Sequence, residues 1–505
     1  MRVCLLNDSF PPVIDGVANT VMNYARILTE SGMAEALVGT PRYPDADYTS
    51  YPYRVVPYQS FDTTGIAMGY RAGNPLAMGA VREMAEFAPD LIHTHCPVSS
   101  TIMARILRNE TDAPIVLTYH TKYDVDLARA VKAEFLRESG IRTMLNNIEA
   151  CDEVWTVSEG AGESLKALGF QGEYRVMSNG VDFQKGRVAK DKVREAVKGY
   201  DLPEGVPVFL FVGRIMKYKG LPLILDGLAR YAESGADFRM VFVGGGADRD
   251  ALIGEAKAAG FAVDVTDGNG HTESGGSGVL SGRCIFTGPV YDRDVLRAWN
   301  TRADLFLFPS TYDTNGIVVR EAAACGLASV LIKGSCAAEG ITDHRNGYLI
   351  EENGEALAEL LKETGSDLDA MHTTGQHAMD EIYISWEDSV HAAYERYQAV
   401  LERKAQGKLA ARRHVKTEIF LNLAAEFAED TEELFRMPKY LYDDMRENTI
   451  EFMDEARSNM EHFRDRARRS RDEIRKHARQ ELNEFVADVK ELKESIRNGR
   501  KEHDE

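Results

Sequence analysis

The sequence predicts an α/β protein of two similar domains, each wound on a mostly parallel sheet, followed by an all-helical extension. Three observations carry this. Short apolar runs alternate with helical periodicity up to about residue 400. The series breaks at a polar stretch over 184–205 and then starts again. Beyond residue 408 Gly and Pro almost vanish, with Pro438 and Gly499 as the exceptions. Strands that alternate with helices mean βαβ units, and their crossovers make neighbouring strands parallel.

The first series of strand-like runs is 2–7, 36–39, 91–95, 115–119, 153–157 and 174–177. The second is 208–212, 240–243, 284–287, 305–308 and 329–332. This places one domain over 1–185 and another over 200–385, with a linker near 185–205. The segment 264–282 is rich in Gly and Ser and reads as a mobile insertion.

The chain has 505 residues, too many for one core, and 44% of them are hydrophobic, an ordinary globular share. Its six cysteines (Cys4, Cys96, Cys151, Cys284, Cys325 and Cys336) form no Cys-x-x-Cys pair. They read as reduced thiols of a cytoplasmic protein rather than a zinc ribbon or a redox site. Residues 1–12 read as a first strand, not a signal peptide. No run approaches the roughly 18 apolar residues of a membrane helix. A net charge of −20 argues against nucleic acid as a partner, because phosphate backbones require a basic surface.

The last segment, 408–505, is dense in both charge signs. Leu482, Phe485, Val489, Leu492 and Ile496 keep a 3-4-3-4 spacing, and Met460, Phe463, Ala467 and Ile474 fit a weaker seam. A narrow apolar stripe flanked by mixed charge suits a coiled coil between copies or a helix docked on the body. A helix lying on the inner face of a membrane, with 464–479 as its basic part, is the second reading.

Four places put glycine or basic residues just past a strand, where doubly wound sheets bind ligands. In FPPVIDGVANT, Gly16 lets backbone N–H groups approach a phosphate at a helix N-terminus. In VGRIMKYKG, Arg214 and Lys219 form a fork and a point charge for a diphosphate. The third, VGGG at 243–246, resembles a dinucleotide fingerprint with Asp264 downstream, but Arg249 stands where the third glycine belongs. The fourth is FPSTYDTNGIVVREAAACG, 308–326, with Asp313 and Glu321 separated by seven residues. Thr314, Asn315 and Gly316 offer backbone donors near a helix N-terminus. Asp313 can accept from sugar hydroxyls, and Glu321 can bridge a ribose diol. The plainer reading is turn formers at Asp313 and Asn315 and an exposed helix residue at Glu321.

Two metal-like patterns are weighed and set aside. Asp45-Ala46-Asp47 and Asp124-Val125-Asp126 match Asp-x-Asp, but neither follows a clear nucleotide-binding strand. His93 and His95 stand at a strand end, where imidazoles are more often bonded to backbone than to an ion. No metal and no cofactor are expected.

In this order, the segments resemble family-4 glycosyltransferases of the GT-B fold, two Rossmann-like domains facing across a cleft. The matching residues are Gly16, His120 in TYHTKYD, Arg214 with Lys219, and Asp313 with Glu321. The resemblance covers residues 1 to about 400. One departure is Asp in place of the usual first Glu, followed by Asn-Gly instead of Phe-Gly, which leaves the donor sugar open.

The resemblance implies transfer of a sugar from a nucleotide sugar, such as UDP-glucose, with retention of anomeric configuration and without metal. Arg214, Lys219 and the backbone near Gly16 and Gly316 would stabilise the leaving diphosphate. His120 would contact the donor sugar or β-phosphate. The N-terminal domain would bind the acceptor and the C-terminal domain the nucleotide sugar. A helix over 386–405 would cross back to the N-terminal domain. TYHTKYD is similar to the matching stretch of diacylglycerol glucosyltransferases, which favours a lipid acceptor over a soluble sugar. Two readings of other classes stay open: a nicotinamide-dependent oxidoreductase, and an inactive GT-B scaffold acting through its helical tail.

Overall fold

The structure, a computed structural model, describes residues 1–13, 15–62, 70–120, 134–266, 272–275 and 278–409. The seam at Leu482–Ile496 and the pair Asp124 and Asp126 therefore lie outside the described residues.

The first domain carries β1 (Arg2–Leu6), β2 (Glu35–Pro41), β3 (Arg54–Tyr58), a ribbon of β4 (Ser60–Asp62) and β5 (Arg71–Gly73), β6 (Leu91–Thr94), β7 (Ile115–Tyr119), β8 (Glu153–Thr156) and β9 (Arg175–Val176). Helices α1 (Gly16–Glu30), α2 (Met78–Glu86), α3 (Ser99–Thr111), α4 (Glu134–Glu149) and α5 (Glu159–Ala167) lie between them. The sheet order is β3-β2-β1-β6-β7-β8-β9, parallel throughout. Both faces are covered. Val3 and Leu5 of β1 join one core layer with α1, while Cys4 and Leu6 join another with α2 and α3. That explains why β1 reads as an unbroken apolar run instead of an alternating one.

The second domain carries β10 (Val208–Val212), β11 (Arg239–Val243), β12 (Ala262–Thr266), β13 (Thr272–Gly275), β14 (Arg283–Gly288), β15 (Leu305–Phe308), β16 (Ser329–Ile332) and β17 (Tyr348–Ile350). Its helices are α6 (Lys190–Ala196), α7 (Leu221–Ala232), α8 (Arg249–Ala258), α9 (Arg293–Arg302), α10 (Ile317–Ala324), α11 (Gly354–Thr364) and α12 (Leu368–Glu381). The order is β13-β12-β14-β11-β10-β15-β16-β17, with only β13 antiparallel. Strand order reverses between β1 and β6 in one sheet and between β10 and β15 in the other. Each reversal opens a crevice at the carboxyl edge, where such sheets bind ligands.

Two sequence expectations change here. The segment 264–282 is not a plain loop: its start completes β12, and β13 folds back on the edge through the register Val263↔Gly275 to Thr266↔Thr272. Asp264 interrupts the apolar run Ala262–Thr266, and Arg283 on β14 pairs with that Asp264 at 2.6 Å. The stretch 184–205 is also more than linker, since it contains α6, packed on α9.

The chain passes between the domains twice, and the two crossings touch. Val181 N–H donates to the Ile384 carbonyl at 3.0 Å, and Val181 bridges Ser385. A Cβ at Gly180 would collide with the backbone of Ser385 and Trp386, so only glycine permits this approach. Helix α13 (Trp386–Ala405) then opens with a Ser385/Asp388 capping box. It packs on α1 of the first domain through Trp386, Val390, Ala393, Tyr397 and Val400. Glu153 of β8 holds it in place, accepting from Arg396 at 2.6 and 2.5 Å and from Arg403 at 3.0 Å.

Candidate active site

The loops after β10 and β15 leave the second sheet side by side, because those strands are neighbours at its switch point. A short 3-10 turn, Lys217–Lys219, turns Lys219 across to Asp313. Lys219 Nζ lies 2.5 Å from Asp313 Oδ1, and the other Asp313 oxygen accepts from Ser310 Oγ at 2.6 Å. The ammonium also stands 5.6 Å from the centre of the Phe308 ring. Asp313 therefore holds the lysine in place; a sugar hydroxyl would share an oxygen already engaged. Arg214 is exposed and interacts electrostatically with Tyr70 of the first domain.

Glu321 lies on α10, and it is not an exposed helix residue: its accessibility is 8%. Arg293 of α9 donates to Glu321 Oε1 at 2.6 Å, stacks 4.5 Å over Phe183 and stands 3.6 Å from Asp182. Burial raises the Glu321 pKa, and the Arg293 charge opposes that shift. Nothing in the sequence marked Arg293; α9 meets α10 only in the fold.

Gly316 caps α10 in the left-handed region, at φ 55°. Before it, Thr314 joins the two domains: its Oγ1 donates to the His120 carbonyl at 2.7 Å, and its own carbonyl accepts from Ser158 Oγ at 2.5 Å. Asn315 Oδ1 accepts from Arg320 at 2.6 Å, while its buried Nδ2 has no partner among the described residues. The sequence reads this loop as ligand donors or as plain turn formers; the structure in addition uses Thr314 to bridge the cleft. Glu339 adds a second bridge. Its carboxylate accepts from the amides of Glu159 at 2.8 Å and Gly160 at 2.6 Å, at the N-terminus of α5.

On the opposite edge, Gly16 begins α1, but the two amides after it are taken. Asp15 Oδ1 accepts from Val17 N–H at 2.9 Å and Ala18 N–H at 2.7 Å, and Tyr70 donates to Asp15 Oδ2 at 3.0 Å. This is an N-cap, a signal legible in Asp-Gly before a helical pattern. An incoming phosphate at Gly16 would meet the Asp15 carboxylate.

His120 follows β7 and is 6% exposed. Its Nε2 lies 3.0 Å from His95 Nδ1, and the two rings stack at 5.3 Å. His93 bonds to Tyr397 at 2.6 Å and Thr118 at 2.7 Å. So these strand-end imidazoles bond to side chains, not to backbone as the sequence suggested. Burial lowers the pKa of all three, to about 3 for His120, so neutral rings face one another.

The remaining sequence signals serve the fold. The amides of Gly213, Ile215 and Gly244 bond to the carbonyls of Val243, Gly245 and Gly288, which knits strand ends together. Asp264 is held by Arg283, and Arg249 donates to the Thr266 carbonyl. Asp47 accepts from the amide and hydroxyl of Thr49. All six cysteines are free thiols.

Solved structures share this architecture. Anabaena Alr3699/HepE in complex with UDP-glucose superposes with a TM-score of 0.56 at 17% identity, over 80% of this chain and 99% of that one. Sucrose-phosphate synthase from Thermosynechococcus elongatus superposes with a TM-score of 0.58 at 18% identity, over 79% and 99%. Paired doubly wound domains whose switch points face each other make the GT-B fold, and this chain has it. Residues 14–185 match the model for Glycosyltransferase Family 4, and residues 206–367 that for Glycosyl transferases group 1. The chain belongs to glycosyltransferase family 4.

Two curated relatives are similar to it in sequence. A GDP-mannose-dependent alpha-mannosyltransferase of Mycobacterium tuberculosis is 27% identical over 365 residues, 69% of this chain and 84% of that protein. An alpha-monoglucosyldiacylglycerol synthase of Streptococcus pneumoniae is 22% identical over 335 residues, 65% and 70%.

Proposed function

We propose that this glycosyltransferase moves a hexose from UDP-glucose or a similar nucleotide sugar to an acceptor hydroxyl, with retention of configuration. The observation that carries the reading is the Lys219–Asp313 pair at the β10/β15 switch point, beside Arg214 and facing the domain that holds His120. The nucleotide would lie on the C-terminal domain, with Glu321 on the ribose diol. Arg214 and Lys219 would meet the diphosphate, and the amides of Asn315 and Gly316 would add donors. Charge develops on the departing diphosphate, so preorganised cations there lower the barrier directly. A neutral His120 would hydrogen-bond to the sugar without competing for that charge. The diphosphate would leave on the face that the acceptor attacks.

The acceptor would enter over the N-terminal domain. A glycerolipid is favoured by the TYHTKYD stretch and by relatives named as monoglucosyldiacylglycerol synthases. The mannosyltransferase relative keeps GDP-mannose as the competing donor. Among the described residues no helix is long and apolar enough to cross a membrane. Contact with a lipid surface, or pairing of two copies, would fall to the segment after 408. The two cations do the work a divalent ion does elsewhere, so the reaction would need no metal.

A screen of nucleotide sugars by thermal shift, then product analysis of the best donor with a lipid extract, tests the reading. Transfer that persists in EDTA is expected. Tight binding of a nicotinamide dinucleotide, with no response to any nucleotide sugar, would sink it.

A further inference from the structure

We propose that Arg293 is a specificity residue of the donor site: it holds Glu321 as a charged acceptor for the ribose hydroxyls and so sets the choice of ribonucleotide over deoxyribonucleotide. The inference rests on the reading above that Glu321 meets the ribose diol.

The pair is built from two helices that meet only in the fold. Asp292 caps α9, accepting from the Asp294 amide at 2.8 Å and the Val295 amide at 3.1 Å, which fixes Arg293 in the first turn. The Arg293 guanidinium lies 4.5 Å over the ring of Phe183, a side chain only 1% exposed. That buried floor holds the planar fork beside α10. A terminal nitrogen of Arg293 donates to Glu321 Oε1 at 2.6 Å. The other carboxylate oxygen, Oε2, accepts from no group among the described residues. One oxygen is thus spent on the cation that orients the group, and one is left for a ligand.

Glu321 needs that cation. It is buried, and the neighbouring strands β15 and β16 bring only LFLF and SVLI toward α10. A carboxylate in such surroundings takes up a proton unless a positive charge opposes it. Arg293 is the one cation paired with it among the described residues. Asp182, 3.6 Å from Arg293, works against ionisation. Cys325, one turn after Glu321, is a buried thiol faced by Arg297 and Thr301 of α9. Arg320, the neighbour in sequence, is spent on the Asn179 carbonyl at 3.1 Å and on Asn315 at 2.6 Å. From α12, Asp380 pairs with Lys185 at 3.0 Å and Glu381 with Arg345 at 2.6 Å. Asp292 and Asp294 of α9 are exposed. Without Arg293, burial and Asp182 would act on Glu321 unopposed.

A neutral carboxyl accepts more weakly than a carboxylate. A site built to bond a hydroxyl also rejects the analogue that lacks it, because its buried polar group is then left unpaired. Both effects act on the ribose 2′-hydroxyl, so the charge on Glu321 sets how strongly the site prefers a ribonucleotide.

The full chain would be titrated calorimetrically with uridine diphosphate and with 2′-deoxyuridine diphosphate at pH 6 and pH 8. The ratio of the two affinities cancels the titration of the phosphate itself. Wild type should favour uridine diphosphate by about tenfold or more at both pH values. Arg293→Gln should lose most of that preference at pH 6 and regain part of it at pH 8, since a carboxyl of raised pKa ionises only as pH rises. Arg293→Lys returns the charge and should restore most of the preference. In Glu321→Gln the preference should be small at both pH values, and adding Arg293→Gln should change it no further. A wild-type profile in Arg293→Gln, no rescue by Arg293→Lys, or a further loss on top of Glu321→Gln overturns the inference. If Arg293→Gln does not fold, Asp182→Asn decides at pH 5. There the wild-type preference should weaken and that of Asp182→Asn persist, and identical profiles count against the inference. A Glu321→Gln variant that keeps the full preference strikes the ribose reading, and the inference falls with it. A weak Glu321→Gln beside an unchanged Arg293→Gln strikes the inference alone.

Discussion

Lys219 Nζ and Asp313 Oδ1 meet at 2.5 Å across 94 residues of sequence, joining the loop after β10 to the loop after β15. The contact fixes where the lysine charge points before any ligand arrives. Lys219→Ala and Arg214→Ala should therefore lower kcat more than they raise KM, by about 10²–10³-fold each, the usual loss when a preorganised donor is removed. Asp313→Asn should lower kcat as well, by releasing Lys219 from its position. Steady-state kinetics on the three variants would show this; normal turnover in any of them removes that residue from the mechanism.

Glu321→Gln should weaken donor binding by about one to two decades, the range of a charge-assisted hydrogen bond worth roughly 1.5–3 kcal/mol. The partner Arg293 is half-exposed and can turn to water, so the fold should tolerate the change. Calorimetric titration with uridine diphosphate is the measurement. Unchanged affinity would leave Glu321 as a support for Arg293 only.

Glu339→Ala should loosen the closed cleft. It removes the carboxylate that caps α5 from the other domain, a contact of about 1 kcal/mol by analogy with helix caps. Small-angle scattering should show a larger radius of gyration, and KM for the donor should rise severalfold. No change in either means that the bonds of Thr314 to His120 and Ser158 hold the domains without it.

Stability should fall as pH drops below about 6.5. His93, His95 and His120 are held neutral by burial, with His120 lowered to about 3. The unfolded chain binds those protons below about 6.5 and the folded chain does not, at up to about 1.4 kcal/mol per pH unit for each imidazole. Asp8 runs the other way: burial raises it to about 6, so the folded chain takes that proton first and offsets part of the slope. Denaturant unfolding at pH 7.5, 6.5 and 5.5 should show the decline, reduced in His95→Gln. A flat profile would mean the imidazoles charge within the fold.

A chain ending near Lys408 keeps every group assigned to the site. It should turn over a soluble acceptor analogue at near-normal rate while its solution mass or its vesicle binding changes. Light scattering and liposome sedimentation on both forms measure this. Loss of activity on the analogue would give the segment after 408 a part in the site.

Much of the site was legible because strand-end position is a local property. Apolar runs locate Arg214, Lys219 and His120 just past strands, and helix periodicity puts Glu321 on the helix that follows β15. Roles were less legible. Asp313 reads as a sugar contact but is tied to Lys219, and Glu321 reads as exposed although α9 covers it. Such partners come from elements distant in sequence, and one sequence carries no trace of the pairing. Asp15 is the exception, since an Asp-Gly before a helix is a cap signal in its own right.

By itself, then, the sequence determined the α/β class, the two domains and the order of the motifs. Periodicity and turn chemistry act over a few residues and survive in one dimension. Only the tertiary structure decided that Arg293 holds Glu321 and that Thr314 and Glu339 bridge the cleft. Those facts depend on which strands become neighbours, which is set by packing both faces of a parallel sheet, and on two crossings that meet at Gly180 and Ser385.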